Sequence, residues 1–412
     1  MVYIDFSKDA VLKRVFNGNL DVDMITGTLE LYVPDAVFEP GSTLIVFDEI
    51  QECPRARTSM KYFTEDGRYD VIASGSLLGI DMHNTAADPG DDDAPLPVGY
   101  EEQMVMYSLD FEEFLWANGV SESIISDVKR SIRGKRPIPE PIDLRLNDLL
   151  ARYLILGGMP EVVQTYIDTG SYRSAFDVMD SIIRTAMADM NRYNTPINAN
   201  KVGECFRSIP AQLASSNKKF MYSRIDGTGS RQSAQKYSEN LLWIKDAGYG
   251  NFSYRVRSIE VPLMAMEDRD QFKVYLSDTG LLVNMYGETI RKAIIEHDPS
   301  VNMGAIAENF VAECLMKAGI APRYYNRNSK DDRMELDFVI ELGTELAVIE
   351  VKSGTHRTAR SLMKVNKLFD IDRRMLFGDT IIHTSDDGVE HYPLYAAAFI
   401  GETIHQKFDD LA

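Results

Sequence analysis

The chain has few cysteines, a deficit of basic residues and no long apolar run. Its 412 residues include three cysteines, Cys53, Cys205 and Cys314. Their odd number and wide spacing exclude a disulfide framework and a metal knuckle. No segment has the pattern of a signal peptide, and no apolar run is long enough to span a bilayer. These absences predict a cytoplasmic protein that does not associate with a membrane.

Positive charge is scarce over the chain as a whole. There are 44 Lys and Arg residues against 63 Asp and Glu residues, which gives a formal net charge of −19. A surface with this charge repels nucleic acid on average, so any contact with it requires a local basic patch. The length predicts two or three domains, each able to bury its own core.

The most informative stretch is the apolar run of residues 44–47, which leads directly into Asp48 and Glu49. Such a run suits a strand buried on both faces of a parallel sheet, and its carboxyl end is where open α/β sheets bind ligands. This is the Walker B arrangement, in which Asp48 would hold Mg²⁺ and Glu49 would orient the attacking water. The alternative is a buried strand that ends in a solvated acidic turn.

Two further strands are predicted around this one. Residues 2–6 alternate like a strand, and residues 69–73 form a second apolar run that ends in Ser74-Gly75-Ser76. A helical segment between two buried strands predicts a βαβ unit and therefore a parallel sheet. Ser74 or Ser76 is then placed to sense the γ-phosphate of a nucleotide. The alternative is that the two serines cap the following helix.

These segments resemble a known family when they are taken in order with residues 97–99 (Pro-Val-Gly) and 109–115 (Leu-Asp-Phe-Glu-Glu-Phe-Leu). They are similar to prokaryotic AAA-type ATPases that carry a C-terminal domain, and the resemblance covers nearly the whole chain. It implies an α/β P-loop-type domain that binds ATP, with Mg²⁺-dependent hydrolysis in complete relatives. Family members place an Arg after Pro-Val-Gly, where this chain has Tyr100.

The phosphate-binding loop of that family is missing from this sequence. A P-loop requires Gly-x-x-x-x-Gly-Lys-Ser/Thr, because backbone amides and a lysine must surround the phosphates. The only Gly-Lys pair, Gly134-Lys135, is followed by Arg136. In the family the loop precedes the segment that corresponds to residues 3–6. We therefore expect an N-terminally truncated P-loop-type sheet or a domain that has lost hydrolysis, with ATP and Mg²⁺ as its cofactors.

The middle of the chain is predicted to be helical. We expect an AAA-type domain over 1–135, a helical region over 136–200, a winged-helix-like region over 201–298 and a C-terminal domain over 299–412. Within 201–298, two helical stretches precede two strand-like runs, which is the element order of a winged helix. Its second helix, with Lys236, would either enter a DNA major groove or serve only as a packing unit.

The C-terminal segment carries a second pattern of charged residues. A helix from Gly304 contains Glu308, one strand carries Asp337, and the next strand carries Glu350 and Lys352 on the same side. This Asp…Glu-x-Lys order resembles the restriction-endonuclease-like α/β fold. In that fold Asp337, Glu350 and Glu308 would hold Mg²⁺, and Lys352 would position a water or stabilise the phosphate. The alternatives are a salt-bridged strand face and a domain that binds without cutting.

A basic segment follows this pattern. Between Lys352 and Arg374 there are seven basic residues and two acidic ones. Arg357, Arg360, Lys364 and Lys367 recur at helical spacing, which predicts one basic face. Such a face would contact the phosphate backbone of a nucleic acid, or it is simply a solvated helix.

Three functions therefore remain open after the sequence alone. The first is an ATP-binding AAA-type protein, impaired in hydrolysis, with a nucleic-acid-directed C-terminal domain. The second is a Mg²⁺-dependent nuclease whose ATPase part is vestigial. The third is a non-catalytic DNA- or protein-binding module. A homo-oligomer is compatible with each of them.

Overall fold

The chain forms two units, residues 1–106 and residues 107–412. The computed structural model describes residues 1–75, 99–192, 196–225, 233–296, 298, 303–328, 333–343, 345–353 and 360–401. Across these ranges no helix combines the length and the apolar character that crossing a membrane requires.

The first unit is built on a parallel sheet of three strands. Its elements are β1 (Val2–Asp5), α1 (Ala10–Val15), α2 (Val22–Tyr32), β2 (Leu44–Asp48), α3 (Pro54–Asp66) and β3 (Asp70–Ala73). The strand order is β1-β2-β3, with Ile4 paired to Phe47 and Phe47 to Ala73. The predicted parallel α/β arrangement is therefore confirmed for this region.

The core of the first unit lies on one face of its sheet. Phe6, Phe16, Phe47 and Phe63 are buried there, and the rings of Phe16 and Phe47 meet edge to face with centroids 5.5 Å apart. Burying one such ring contributes about 2–3 kcal/mol. Strand β2 was expected to be buried on both faces, but its residues alternate between buried and half-buried. The outer face of β2 is therefore only partly covered.

The second unit begins with helices. These are α4 (Phe111–Ala117), α5 (Glu122–Arg133), α6 (Glu140–Leu156), α7 (Pro160–Thr169), α8 (Tyr172–Arg192), α9 (Pro196–Leu213) and α10 (Ser233–Asp246). Their ends follow familiar rules. A capping box between Asp110 and Glu113 starts α4, Pro160 occupies the first turn of α7, and Gly157 and Gly170 end α6 and α7. These signals explain why one long helical segment is divided into several shorter helices.

The remainder of this unit is built around a mixed sheet. Its elements are β4 (Gly250–Val256), β5 (Glu267–Leu276), α11 (Thr279–Tyr286), α12 (Glu288–Ile295), α13 (Gly304–Lys317), β6 (Arg323–Asn328), β7 (Arg333–Leu342), β8 (Glu345–Val351), α14 (Arg360–Val365), β9 (Arg373–Gly378), β10 (His383–Thr384) and β11 (Glu390–Pro393). In the described residues the strand order is β10-β11-β9-β8-β7-β6-β4-β5. Strands β6, β7 and β8 are antiparallel, whereas β9 runs parallel to β8.

The hairpin β4–β5 belongs to the same sheet as the C-terminal strands. Strand β4 pairs with β5 on one side and runs parallel to β6 on the other. These are the two strands expected as the wing of a winged helix, and here they extend a larger sheet. The predicted domain boundaries at residues 135, 200 and 298 stay predictions. The strand β4 lies before residue 298 and forms hydrogen bonds with β6, which lies after it.

Helix α13 is buried on all sides, which determines what its polar residues must do. Every residue from Ala305 to Leu315 is buried, including Glu308, Asn309 and Glu313. A buried polar side chain without a partner costs about 1–3 kcal/mol, and an isolated charge costs far more. Asn309 bonds the backbone of Leu276 in both directions, and Glu313 accepts from Thr279 and Lys317. The partners of Glu308 lie in the candidate site of this unit.

Candidate functional site

Asp48 lies at the carboxyl end of the central strand of the first unit. Strands β1 and β3 flank β2 on both sides, so the ends of all three strands meet at one edge of the sheet. The amide of Phe6 donates to the carbonyl of Asp48 at 3.1 Å, and the amide of Ser74 donates to the carbonyl of Phe47 at 2.8 Å. These bonds fix the backbone at the two neighbouring strand ends around Asp48.

The carboxylate of Asp48 is held by hydrogen-bond donors from both neighbouring strands. Ser74 Oγ donates to Asp48 Oδ1 at 2.5 Å, and the phenol of Tyr3 donates to Oδ2. The backbone amide of Glu49 also donates to Oδ1, at 3.1 Å. These hydrogen bonds, first from Ser74 and then from Tyr3, lower the pKa of Asp48. The group is therefore a fixed carboxylate anion, which is the chemistry that a divalent cation requires.

Glu49 has an unusual backbone conformation. It adopts the left-handed region, with φ of 53° and ψ of 47°, which is uncommon for a residue with a long side chain. Gln51 Nε2 donates to Glu49 Oε2 at 2.5 Å and holds the carboxylate beside the strand end. Such strained positions concentrate at functional sites. The predicted partner Ser76 lies outside the described residues, whereas Ser74 contacts Asp48 directly.

Three residues near Asp48, on strand β1 and in the turn that follows it, were not predicted as site residues: Tyr3, Asp5 and Lys8. Asp5 pairs in register with Asp48, and Lys8 Nζ lies 2.8 Å from Asp5 Oδ2. Lys8, followed by Ser7, lowers the pKa of Asp5 to about 2, while the hydrogen bond to Asp48 raises the pKa of Tyr3 to about 12. The same strand-end rule that selected Asp48 applies to Asp5, so this acid was recognisable from the sequence.

The second candidate site lies on the hairpin β7–β8. Phe338 pairs with Ile349, so Asp337 and Glu350 lie next to each other across the two strands. The amide of Val351 donates to Asp337 Oδ2 at 2.8 Å, and Lys352 Nζ lies 2.5 Å from Glu350 Oε1. The structure therefore brings Asp337, Glu350 and Lys352 together.

Glu350 has one oxygen without a hydrogen-bond donor among the described residues. Its side chain is buried, and no described residue donates to the buried Oε2. Burial, followed by repulsion from Asp337, raises the pKa of Glu350 to about 7. Burial and the charge of Glu308 also raise the pKa of Asp337. A buried carboxylate oxygen without a donor, next to a second carboxylate, is an arrangement that a bound cation would stabilise.

Glu308 is engaged in ion pairs. Its carboxylate accepts from Lys273 Nζ at 2.8 Å on Oε1, from the phenol of Tyr275 on the same oxygen, and from Lys218 on Oε2. Burial alone would raise the pKa of Glu308, but Lys273 and Lys218 lower it to about 2. The structure thus places this predicted metal ligand between two lysines. Among the described residues no group of three His, Cys, Asp or Glu side chains is arranged to hold a metal ion.

Few local patterns pointed to Lys218, Lys273 and Tyr275 as site residues. Lys273 and Tyr275 are two residues apart in β5, so their side chains point to the same side of the strand. The only clue in the sequence was a lysine within an apolar strand. Lys218 lies in the loop after α9, about 90 residues before its partner Glu308. A pairing at that separation has no local sequence signature.

The predicted basic face is partly described. Helix α14 buries Leu362 and Val365 and exposes Arg360 and Lys364, while Lys367 is exposed in the turn that follows. Arg357 lies outside the described residues. Arg360 and Lys364 lie on α14 at the predicted helical spacing. Lys367 does not lie on this helix, because α14 ends at Val365.

Comparisons with known proteins distinguish three segments. Residues 1–115 match the model of an AAA domain. Residues 147–291 match a Domain of unknown function (DUF8612), and residues 303–395 match a Domain of unknown function (DUF4143). Each match covers less than half of the chain. The first match supports an AAA-type ATPase assignment for the N-terminal segment.

Two solved structures show a distant similarity. One is the Walker-type ATPase paby2304 of Pyrococcus abyssi, with 11% identity, a TM-score of 0.37, and coverage of 71% of this chain and 83% of the other. The second is protein VC1899 from Vibrio cholerae, with 10% identity, a TM-score of 0.22, and coverage of 89% and 76%. No curated protein matches the chain significantly.

Proposed function

We propose that the chain is an AAA-type ATPase-family protein whose first unit binds a nucleotide with Mg²⁺ at Asp48. The observation that carries this proposal is the fixed Asp48 carboxylate at the carboxyl end of the central strand, with Ser74 of the neighbouring strand on one oxygen. Asp48 would hold the cation, Glu49 would orient the attacking water, and Ser74 or Ser76 would sense the γ-phosphate. The sequence has no Gly-x-x-x-x-Gly-Lys-Ser/Thr motif, so we expect impaired hydrolysis.

The test is nucleotide binding by the 412-residue chain, followed with a fluorescent ADP analogue in Mg²⁺ and in EDTA. We expect weak, Mg²⁺-dependent binding that falls at least about tenfold in Asp48→Asn. The matched control is Asp23→Asn in the same unit, where the carboxylate forms an exposed pair with Arg68 at 2.7 Å. Equal binding by Asp48→Asn and the wild type refutes the role of Asp48. No binding by the wild type refutes nucleotide binding by this chain.

A second candidate function is a Mg²⁺-dependent nuclease in the second unit. Its support is Glu350 Oε2, to which no residue in the described part of the chain donates a hydrogen bond, beside Asp337, with Lys352 on the other oxygen of Glu350. The order of α13, the antiparallel strands β6, β7 and β8, helix α14 and the parallel strand β9 is compatible with a restriction-endonuclease-like domain. Asp337 and Glu350 would hold the cation, and Lys352 would position a water or stabilise the phosphate.

Cleavage of labelled DNA and RNA in Mg²⁺ tests this second function. We expect Asp337→Asn and Lys352→Ala each to reduce cleavage by at least about 100-fold. Glu341→Gln is the control, because Glu341 lies on the same strand and accepts from the amide of Leu263, a bond that glutamine can keep. Unchanged cleavage in Asp337→Asn would show that the nuclease site is placed wrongly.

The proposed nucleic-acid contact uses the exposed cations of α14 and its following turn. Reversing the charge in Arg360→Glu/Lys364→Glu should weaken DNA binding, while Arg173→Glu/Lys292→Glu on exposed helices of the same unit should have little effect. Binding without cleavage would favour the non-catalytic module.

We also propose that the chain forms a homo-oligomer. Light scattering on the purified chain tests this proposal.

A further inference from the structure

The phenol of Tyr3 reaches Asp48 across the sheet of the first unit. Val2 and Ile4 of β1 are buried, so Tyr3 lies on the opposite face of the sheet, where it is 47% exposed. Tyr3 pairs in register with Val46, and Asp48 is the second residue after Val46 and lies on the same face. The phenol donates a hydrogen bond to Asp48 Oδ2. Strand β1 therefore supplies one donor to the Asp48 carboxylate.

The register between β1 and β2 fixes the position of Tyr3. Ile4 pairs with Phe47, and the amide of Phe6 donates to the carbonyl of Asp48 at 3.1 Å. Phe6 and Phe47 are both buried, and their ring centroids lie 5.7 Å apart. A shift of β1 by one residue would turn its buried side chains to solvent. The phenol therefore approaches Asp48 from one direction before any cation arrives.

The donors around Asp48 leave little of its carboxylate open. An ionised carboxylate has about four lone-pair sites, roughly two on each oxygen. Oδ1 accepts from Ser74 Oγ at 2.5 Å and from the amide of Glu49 at 3.1 Å, and Oδ2 accepts from the phenol of Tyr3. Among the described residues these are the side-chain carboxylate's donors, so the site that remains for a cation lies on Oδ2.

A carboxylate in this state binds a cation through a single oxygen. Chelation by both oxygens requires an open site on Oδ1, where Ser74 and Glu49 already donate. Mg²⁺ demands a near-ideal octahedral geometry and keeps several waters, whereas Ca²⁺ accepts carboxylates in one- or two-oxygen contacts and in variable geometry. The direction of the remaining site on Oδ2 depends on the phenol that occupies the other one. Binding of Mg²⁺ should therefore be more sensitive to Tyr3 than binding of Ca²⁺.

We propose that Tyr3 is a positioning residue of the Mg²⁺ site, whose phenol holds Asp48 so that Oδ2 meets the ion as a single-oxygen ligand. Hydrogen-bond partners of metal ligands orient those ligands, and their replacement commonly lowers metal affinity by about 10- to 100-fold. The inference rests on the proposed function, which places Mg²⁺ and a nucleotide at Asp48. It adds a residue of β1 that orients the metal ligand and does not touch the ion.

The cation dependence of nucleotide binding by the full chain tests this role. Binding of the fluorescent ADP analogue is measured at increasing Mg²⁺ and, separately, at increasing Ca²⁺. Tyr3→Phe keeps the ring and removes the hydroxyl, and we expect it to raise the Mg²⁺ concentration at half-maximal binding about tenfold. The corresponding Ca²⁺ concentration should change less than about threefold, because Ca²⁺ tolerates a reoriented carboxylate. At saturating Mg²⁺ the variant should bind the analogue as tightly as the wild type.

Tyr32→Phe is the matched control. Tyr32 is the last residue of α2 in the same unit and is 55% exposed, so the loss of its hydroxyl should leave both cation concentrations unchanged. A Mg²⁺ concentration for Tyr3→Phe within about twofold of the wild-type value would show that the proposal is wrong. Equal increases for Mg²⁺ and Ca²⁺, or weaker binding at saturating Mg²⁺, would show a general structural loss and would also overturn it.

The same titration separates this inference from the proposed function. If Asp48→Asn loses cation-dependent binding while Tyr3→Phe behaves as the wild type, the role of Tyr3 fails and the nucleotide site remains. If the wild type shows no cation-dependent binding, the proposed function fails and the role of Tyr3 fails with it.

Discussion

Glu390 is a buried carboxylate of the second unit that is surrounded by several donors. Its oxygens contact Lys135 Nζ at 2.7 Å, Arg373 Nη2 at 2.8 Å and the phenol of Tyr392 at 2.9 Å. Burial alone would raise the pKa of Glu390, but Arg373 and then Lys135 lower it below its ordinary value of 4.5. Ionised Glu390 therefore stabilises the folded state.

Replacing Glu390 by Gln should cost about 2–3 kcal/mol of unfolding free energy at pH 7, because two cations lose their counter-charge. Since the folded pKa is lowered, this stabilisation is fully present above pH 4.5 and is lost as the pH falls through the folded value. The difference between wild type and Glu390→Gln should shrink below pH 4.5. Urea unfolding at several pH values measures this difference in unfolding free energy.

The control for this prediction is Glu296→Gln. Glu296 lies 3.8 Å from Lys292, and its side chain is 59% exposed, so the change should cost less than about 0.5 kcal/mol. A stability difference for Glu390→Gln that is constant from pH 3 to pH 7 would contradict the assigned ionisation.

At the scale of elements, the junction between α6 and α11 depends on a glycine. Gly157 ends α6 with φ of +71°, and a Cβ at this position would lie 2.1 Å from Asp278 Oδ1. Asp278 cannot move aside easily, because its carboxylate accepts from the amide of Gly158 at 2.8 Å and caps α11 through the amide of Leu281 at 2.9 Å. This contact explains the glycine at 157, and a Cβ at Gly158 would lie 1.9 Å from the carbonyl oxygen of Leu109.

We predict that Gly157→Ala destabilises the second unit by at least about 3 kcal/mol. Gly170→Ala is the matched control, because Gly170 also ends a helix, with φ of +63°, and has no atom within 4 Å of its missing Cβ. It should lose only the conformational cost of about 1 kcal/mol. Thermal or urea unfolding measures the stability of the two variants. Equal losses of unfolding free energy in Gly157→Ala and Gly170→Ala would show that the contact with Asp278 is unimportant.

Local sequence patterns predicted the individual helices and strands better than the contacts between elements that are distant in sequence. The apolar run before Asp48, the Ser-Gly-Ser strand end and the hairpin with Asp337 and Glu350 are all recognisable, because strand and turn signals act over a few residues. The contacts of Tyr3 with Asp48 and of Lys218 with Glu308 were not recognisable in this way. They depend on how distant elements meet, and a single sequence does not encode that in any local pattern.

In the molecule as a whole, the segment that connects the two units carries exposed apolar side chains. Residues 101–107 lie in no helix or strand, and the side chains of Met104, Val105 and Met106 are 90%, 73% and 98% exposed. An exposed segment outside helices and strands is a preferred site of proteolytic cleavage. The chain should therefore be cut here before either unit is degraded.

Limited proteolysis with chymotrypsin, followed by intact-mass analysis, checks this prediction. We expect an early cut between residues 103 and 108 that gives two fragments. The exposed Leu31 and Tyr32 at the end of α2 provide an internal comparison, because they lie in a helix and should be cut later. First cleavage at that helix would contradict the prediction.

The hairpin β4–β5 also limits which segment of the chain can be transferred to another protein with its contacts intact. The family match of residues 303–395 leaves out the strand that carries Lys273 and Tyr275. A gene fusion that moved only the matched segment would bury Glu308 without its counter-charges and would leave the edge of β6 without its neighbour β4. A segment that keeps these contacts therefore begins well before residue 303 and includes this hairpin.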